Sequence, residues 1–357
     1  MLNVINDEVV QQDLDFVLDS NVDFTKMKDS TILITGATGL IGVSLVRSLI
    51  WANVKKNCDI KILVLVRDIE KAKKIYCSML ERNDLHIIKG DILDKINIDE
   101  RIDYIIHCAS VTSSKTMIEK PVETIMTSVD GTKNILELAK EKKCKSVVYV
   151  SSMEMYGTIK DEYEVTENDL GYINPLKLRS NYPESKRLCE NLCIAYLSQH
   201  SIPVKIARLS QTFGAGILEG ENRVFAQFAK CVINNQNIAL HTKGNSEGNY
   251  CYTSDTVAGL LTILLDGENG EAYNVVNPES HTSIINMAHL VCDKIANGRI
   301  MVEFEIPENN QYGYAEDTKL KLNSDKLSKL GWKPQIGLED SYKRLIKSMK
   351  NTLELKG

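Results

Sequence analysis

The stretch TILITGATGLIG, residues 31–42, constrains the chain more than any other. The apolar run 32–34 reads as a buried strand, Gly36 ends it, and residues 37–42 lead into an apolar helix. The glycines are spaced G-x-x-G-x-x-G. Gly36 permits the tight strand-to-helix turn, Gly39 lets the backbone approach a pyrophosphate, and Gly42 lets the helix pack on the strand. The free N–H groups and positive dipole end of such a helix hold phosphates. Thr38, Leu40 and Ile41 therefore join the three glycines as cofactor-binding candidates. A glycine triplet alone is weak evidence, since a bland turn looks the same. Here strand, turn and helix fall in the order a dinucleotide site requires.

The rest of the first half repeats that alternation. The run KILVLV, residues 61–66, is a second strand, followed by Arg67 and Asp68. An acid at this tip binds the adenosine ribose, whereas an arginine accommodates a 2′-phosphate. Arg67 favours NADP over NAD, with Asp68 as the alternative ribose ligand. A helix over 69–82 and a strand over 85–89 lead to Gly90, Asp91 and Ile92. There the Asp91 carboxylate can accept from an adenine amino group, with Ile92 against the ring. A strand over 104–108 ends in Cys108, Ala109 and Ser110, small residues that let backbone approach a dinucleotide. A long helix is predicted over 118–142 and a strand over 147–151. Such alternation predicts an α/β fold of Rossmann type, a doubly wound parallel sheet with ligand at the strands' C-terminal ends.

Composition narrows the function classes. With 357 residues the chain has room for a large core or two lobes. The net charge of −5 comes without a basic run, which argues against nucleic acid as a partner. The longest apolar runs are strand-sized, well below the roughly 20 residues that span a bilayer, so no membrane association is expected. The N-terminus has no signal-peptide pattern. The 9 cysteines are scattered without a C-x-x-C pair. Cys189 and Cys193 share a predicted helix but have no further ligand at metal spacing, so they read as buried thiols. No metal is expected, and the thiols suit a reducing cytoplasm. His107 lies inside a strand and reads as a packed core residue.

The chemistry concentrates in the next forty residues. Ser151-Ser152-Met153-Glu154 leaves the strand tip, and Asn181-Tyr182-Pro183-Glu184-Ser185-Lys186 opens a helix. Tyr182 and Lys186, one helical turn apart, share a face. A phenol beside an ammonium makes a base. For Tyr182 to act near pH 7 its pKa must fall by about three pH units, about 4 kcal/mol. Lys186 and a positive nicotinamide ring could together supply that.

With these residues in place, the sequence resembles the extended short-chain dehydrogenase/reductase family, the NAD-dependent epimerases and dehydratases of nucleotide sugars. TGATGLIG, GDI, YIIHCAS, GTKNILELAK, VYVSSMEMYG and YPESK carry the resemblance. Within the family the chain is most similar to UDP-glucuronate decarboxylases, through PVETIMTSVDGT, GYINPLKLRSNYPESKR, RVFAQF, NPESHTS and LGWKP. The resemblance runs from Thr31 to the C-terminus. It implies that Tyr182 takes the proton of the sugar 4-hydroxyl, that Ser152 hydrogen-bonds the same hydroxyl, and that Lys186 holds the nicotinamide ribose. Ser128, Val150 and Leu209 complete the implied cofactor site. Hydride would pass from sugar C4 to the nicotinamide, leaving a 4-keto sugar. Glu154 matches a glutamate of the dehydratases and decarboxylases that simple 4-epimerases usually lack. Dehydration or decarboxylation of a nucleotide sugar is therefore the leading expectation. Epimerisation and NADPH-dependent reduction of a keto sugar are the enzymatic alternatives, and a non-catalytic NADP-binding protein stands behind them. The family also implies a homodimer.

Two positions depart from the family pattern. Met153 stands where dTDP-glucose dehydratases carry an Asp, and Gly248 where many relatives carry a phosphate-binding Arg. The phosphate contact is then expected from Arg223 or Lys243. Lys115, Gln211, Asn249 and Tyr252 complete the substrate-binding candidates beside Ser152 and Arg223.

Residues 1–29 form an extension in which Val9, Val10, Leu14, Val17 and Leu18 recur at helical spacing. Residues 30–201 read as the dinucleotide-binding core. Residues 202–357 read as the last core strand plus a smaller mixed α/β substrate lobe, with segments exchanged between the lobes. In that lobe helices are predicted over 221–234 and 256–265, the latter capped by Ser254 and Asp255.

Overall fold

The computed structural model describes residues 7–159, 163–217, 220–307 and 317–354. The part of the extension at residues 1–6 lies outside them. Seven strands form one all-parallel sheet: β1 (Thr31–Thr35), β2 (Lys61–Val66), β3 (Leu85–Lys89), β4 (Tyr104–His107), β5 (Ser146–Ser152), β6 (Val204–Leu209) and β7 (Ala272–Val275). Their spatial order is β7-β6-β5-β4-β1-β2-β3. The strands are apolar almost throughout because both faces are covered. Along β1 the pleat sends Ile32 and Ile34 into one core with Val46, Leu49, Leu260 and Leu261. Leu33 enters the other, with Ile135, Leu136, Cys189 and Cys193. The first core lies under α2 (Leu40–Lys56) and α8 (Thr253–Asp266), the second under α5 (Pro121–Lys142) and α6 (Asn181–His200). The strand order reverses between β1 and β4, and the cleft over their C-terminal ends is the place where such sheets bind ligands.

Four predicted helices differ in detail. The helix expected over 69–82 ends at Tyr76, and a 3-10 turn, Cys77–Met79, follows it. The helix expected over 118–142 is two helices, α4 (Ser114–Glu119) and α5, because Pro121 lacks an N–H and bars Lys120 from helical geometry. The helix expected from Glu221 starts at Val224 (α7, Val224–Asn234), since the Glu221 carboxylate accepts the Asn222 and Arg223 N–H groups instead. Ser254 and Asp255 do not cap α8. They lie inside its first turn, and the Asp255 carboxylate accepts the Gln335 and Ile336 N–H groups at 3.1 and 3.0 Å.

The helix α1 (Glu8–Leu18) is capped by Asp7, whose carboxylate accepts the Val9 N–H. It packs on α2, α8 and the C-terminal helix Leu338–Glu354. Its buried centre is ionic. Asp13 accepts from Arg344 Nη2 at 2.6 Å on one oxygen and from the Tyr252 hydroxyl at 2.8 Å on the other. Burial pushes the Asp13 carboxyl up from 3.8 to about 6, against the opposing pull of Arg344.

Asp13→Ala leaves the Tyr252 hydroxyl without an acceptor and Arg344 with only the Val9 carbonyl at 3.5 Å, and is expected to cost about 2–3 kcal/mol in urea unfolding. A carboxyl raised in the folded state contributes stability below pH 3.8 that is lost as the pH rises through about 6. The gap between wild type and Asp13→Ala should therefore narrow across that window.

Candidate active site

β1 ends at Thr35 and the chain turns at Gly36, whose φ of +67° excludes most side chains. A Cβ on Gly42 would lie 2.4 Å from the Gly36 carbonyl oxygen, so the first turn of α2 rests directly on the loop. Gly39 precedes α2 with no side-chain cap, and the first intrahelical bond runs from the Val43 N–H to the Gly39 carbonyl. The N–H groups of Leu40, Ile41 and Gly42 thus have no helical partner. They and the dipole end fit a pyrophosphate.

At the β2 tip, Asp68 is the N-cap of α3 (Ile69–Tyr76), accepting the Lys71 N–H at 2.9 Å. Arg67 is exposed and stands 4.0 Å from Asp91. Ile92 is buried and fills the gap that Gly131 leaves in α5. The Ala109 N–H donates to Thr35 Oγ1, which also contacts His107 Nδ1. Burial holds His107 down to about 3, so it is neutral and structural. The Ser128 hydroxyl donates to the Thr124 carbonyl of its own helix.

Four side chains converge where β5 and α6 begin and end. Ser152 closes β5, and its Oγ accepts the Glu154 N–H at 3.2 Å as the chain enters a tight turn. Tyr182 and Lys186 occupy the first turns of α6, both buried. Lys186 Nζ donates to the Val150 carbonyl at 2.8 Å and lies 5.6 Å from the Tyr182 ring. Burial brings Lys186 down to about 8. The Tyr182 phenol stands at about 12, raised by burial and then by the Glu154 charge, and eased by the hydroxyls of Ser152 and Ser110. Burial and the Glu154 charge hold the phenol up, so Lys186 alone does not make Tyr182 basic. Ser110 Oγ is buried beside that phenol. A glycine cradle and small residues at the β4 tip fit a nicotinamide dinucleotide laid along the switch point.

The sequence model of the NAD dependent epimerase/dehydratase family matches residues 32–277. The chain belongs to that family. UDP-glucuronic acid decarboxylase 1 of Danio rerio is 28% identical over 336 residues, 93% of this chain and 76% of that protein. An epimerase of Methanothermobacter thermautotrophicus superposes with a TM-score of 0.77 at 22% identity, covering 93% of this chain and 95% of that one. The dTDP-glucose 4,6-dehydratase of Streptomyces venezuelae, with NAD bound, gives 0.75 at 22% identity, covering 91% and 98%.

In this epimerase/dehydratase several residues expected at the substrate are used otherwise. The Tyr252 hydroxyl serves Asp13 of α1 and accepts the Ala215 N–H. Asn249 is fully buried, donating to the Asn277 and Pro278 carbonyls and accepting the Leu322 N–H. Arg223 is held by Glu221 at 2.7 Å, and Lys115 is a surface residue of α4 paired with Glu119 at 3.7 Å. Gln211 stays half-buried, on a strand beside Tyr250. The two departures from the family pattern meet: a Cβ on Gly248 would lie 3.9 Å from the Met153 methyl.

Two arginines were not singled out from the sequence. Arg179 Nη2 lies 3.1 Å from Glu154 Oε2. Arg187 donates to the carbonyls of Met155, Tyr156 and Gly171, tying the Glu154 turn to α6. Both stand inside the phrase LRSNYPESKR, where spacing from Tyr182 was the available signal.

An ultraviolet titration checks the state of the phenol. In the unliganded protein the signal that Tyr182→Phe removes should appear only near pH 12. Oxidised nicotinamide cofactor should move it to lower pH, because a positive ring stabilises phenolate.

Proposed function

We propose that this protein oxidises a nucleotide sugar transiently at C4 and then releases carbon dioxide or water from the C5–C6 end, decarboxylation being the leading reaction. The carrying observation is that Glu154 and Tyr182 share one cluster: the Glu154 N–H donates to Ser152 Oγ, and Arg179, 3.1 Å from the Glu154 carboxylate, stands 5.9 Å from the Tyr182 ring. The likeness to a UDP-glucuronic acid decarboxylase over 93% of the chain supports the choice of reaction and of a UDP-sugar acid as substrate.

Bound nicotinamide would supply the hydride acceptor for C4 and the donor that returns it. Tyr182 takes the 4-hydroxyl proton while Ser152 holds the same oxygen. Lys186, protonated below about pH 8, carries the positive charge beneath the phenol and offers its remaining protons to the ribose. The resulting 4-ketone makes a C5 carboxylate a β-keto acid. Its C5–carboxyl bond breaks to release carbon dioxide, the electron pair passes into the C4 enolate, and C5 then takes up a proton before hydride returns to C4. The same ketone acidifies a C5 hydrogen, for which Glu154 is the base, and in that case the C6 hydroxyl leaves as water. Incubation with a panel of UDP-, dTDP-, GDP- and CDP-sugars followed by mass spectrometry separates these outcomes. Tyr182→Phe is expected to lower turnover by about a thousandfold. An unchanged mass across the panel, or full activity of Tyr182→Phe, refutes the mechanism.

The cofactor reading favours NADP. Arg67 stands exposed at the β2 tip, and Asp68 engages one carboxylate oxygen in capping α3. NADP with this site also keeps a keto-sugar reductase as the second reading. Arg67→Ala should weaken NADP binding by about tenfold and leave NAD binding unchanged in calorimetry. A homodimer is supported by the exposed apolar residues Val122, Ile125 and Met126 on α5 and Leu188 on α6. The nine cysteines are free, in keeping with a cytoplasmic location.

A further inference from the structure

We infer that Arg179 is a positioning residue that holds Glu154 ionised and aimed into the cleft, and that it thereby sets the lower pH limit of the reaction. The inference rests on the reading of Glu154 as the base that removes the sugar C5 hydrogen in the dehydration branch of the proposed reaction. Arg179 lies in the single turn before α6. That turn is fixed from both sides: Ser180 Oγ donates to the Asn174 carbonyl at 2.6 Å, and Asn181 Nδ2 to the Met117 carbonyl at 2.6 Å. From there the guanidinium reaches both Glu154 oxygens, at 3.1 and 3.4 Å, and its carbon stands 5.9 Å from the Tyr182 ring. Arg187 clamps the Glu154 turn onto the same helix, so the two ends of the pair cannot drift apart.

The charged and titratable groups facing Glu154 are Arg179 from this turn and Lys186 and Tyr182 from α6. Lys186 is committed to the Val150 carbonyl, which leaves Arg179 as the cation in contact. Burial is the larger influence and raises the Glu154 carboxyl above its ordinary value, and Arg179 limits that rise. Arg179 Nη1 is buried without a hydrogen-bond partner among the described residues, so the guanidinium keeps a donor beyond those it gives to Glu154.

The test labels glutamate side-chain carboxyls with carbon-13 and follows Glu154, identified by the signal that Glu154→Gln removes. Arg179→Gln is expected to raise the Glu154 midpoint by about one to three pH units, and Arg179→Lys to restore most of the difference. If Arg179→Gln does not fold, Arg179→Met takes its place, since its stem can still pack against the Tyr182 ring. A midpoint that stays at the wild-type value overturns the inference. Kinetically, the acidic limb of the kcat profile should rise with that midpoint while KM changes by less than about twofold. A raised KM for an acidic sugar with an unmoved limb would instead make Arg179 a ligand of the substrate carboxylate, and would also overturn it. The carboxyl titration needs no turnover, so it stands apart from a failure of the proposed reaction.

Discussion

The contact of Gly42 with the carbonyl of Gly36 is the constraint on which the rest depends. With 2.4 Å between that oxygen and any Cβ at 42, helix α2 meets the loop through backbone alone. This closeness aims its free N–H groups over the end of β1, beside the β4 tip. The sheet order reverses at the same place, and the crossover helices α2 and α5 leave on opposite faces. A cleft is thereby left open over strand ends that would otherwise be covered. The cofactor cradle and the catalytic cluster share one edge because they share this reversal.

On the far side of the cleft the design is ionic. Helix α6 carries Tyr182, Lys186 and Glu190 one turn apart. Glu190 accepts Ser151 Oγ at 2.6 Å and Arg208 Nη2 at 2.7 Å, which fixes the helix to β5 and β6. Lys186 binds the β5 backbone, and Arg187 binds the turn that follows β5. Three consecutive functions of one helix face thus lock the phenol to the strand end that bears Ser152 and Glu154. The phenol is protonated in this setting because burial and a neighbouring carboxylate both disfavour phenolate. Under the proposed mechanism a bound, positively charged nicotinamide would supply what lowers the phenol's pKa.

Helix α1 adds a second layer of control. By binding Tyr252 and Arg344 through Asp13, it joins the start of α8 to the C-terminal helix. Tyr252 illustrates how a sequence phrase misleads. Its place in the family segment suggested the sugar, yet its hydroxyl faces away, toward a helix that lies outside the family resemblance. Asn249 is similar: an amide one residue from an expected phosphate contact is consumed by three backbone groups.

Local chemistry was legible where it is carried by spacing along the chain. The glycine turn, the apolar strands and the Tyr182–Lys186 face follow from backbone sterics, from burial on both sheet faces and from the helical repeat. The break at Pro121 was not foreseen, because the helical pattern runs through 118–142 and masks the effect of the proline. What tertiary structure decided is which side chains meet across distant segments. Arg179 finds Glu154 because two turns are clamped together, Tyr252 finds Asp13 because α1 returns to the core, and Met153 meets Gly248 because a lobe strand passes the end of β5. Periodicity reports a residue's face on its own element. The partner of a buried polar group is set by which elements pack together, and that depends on the whole chain.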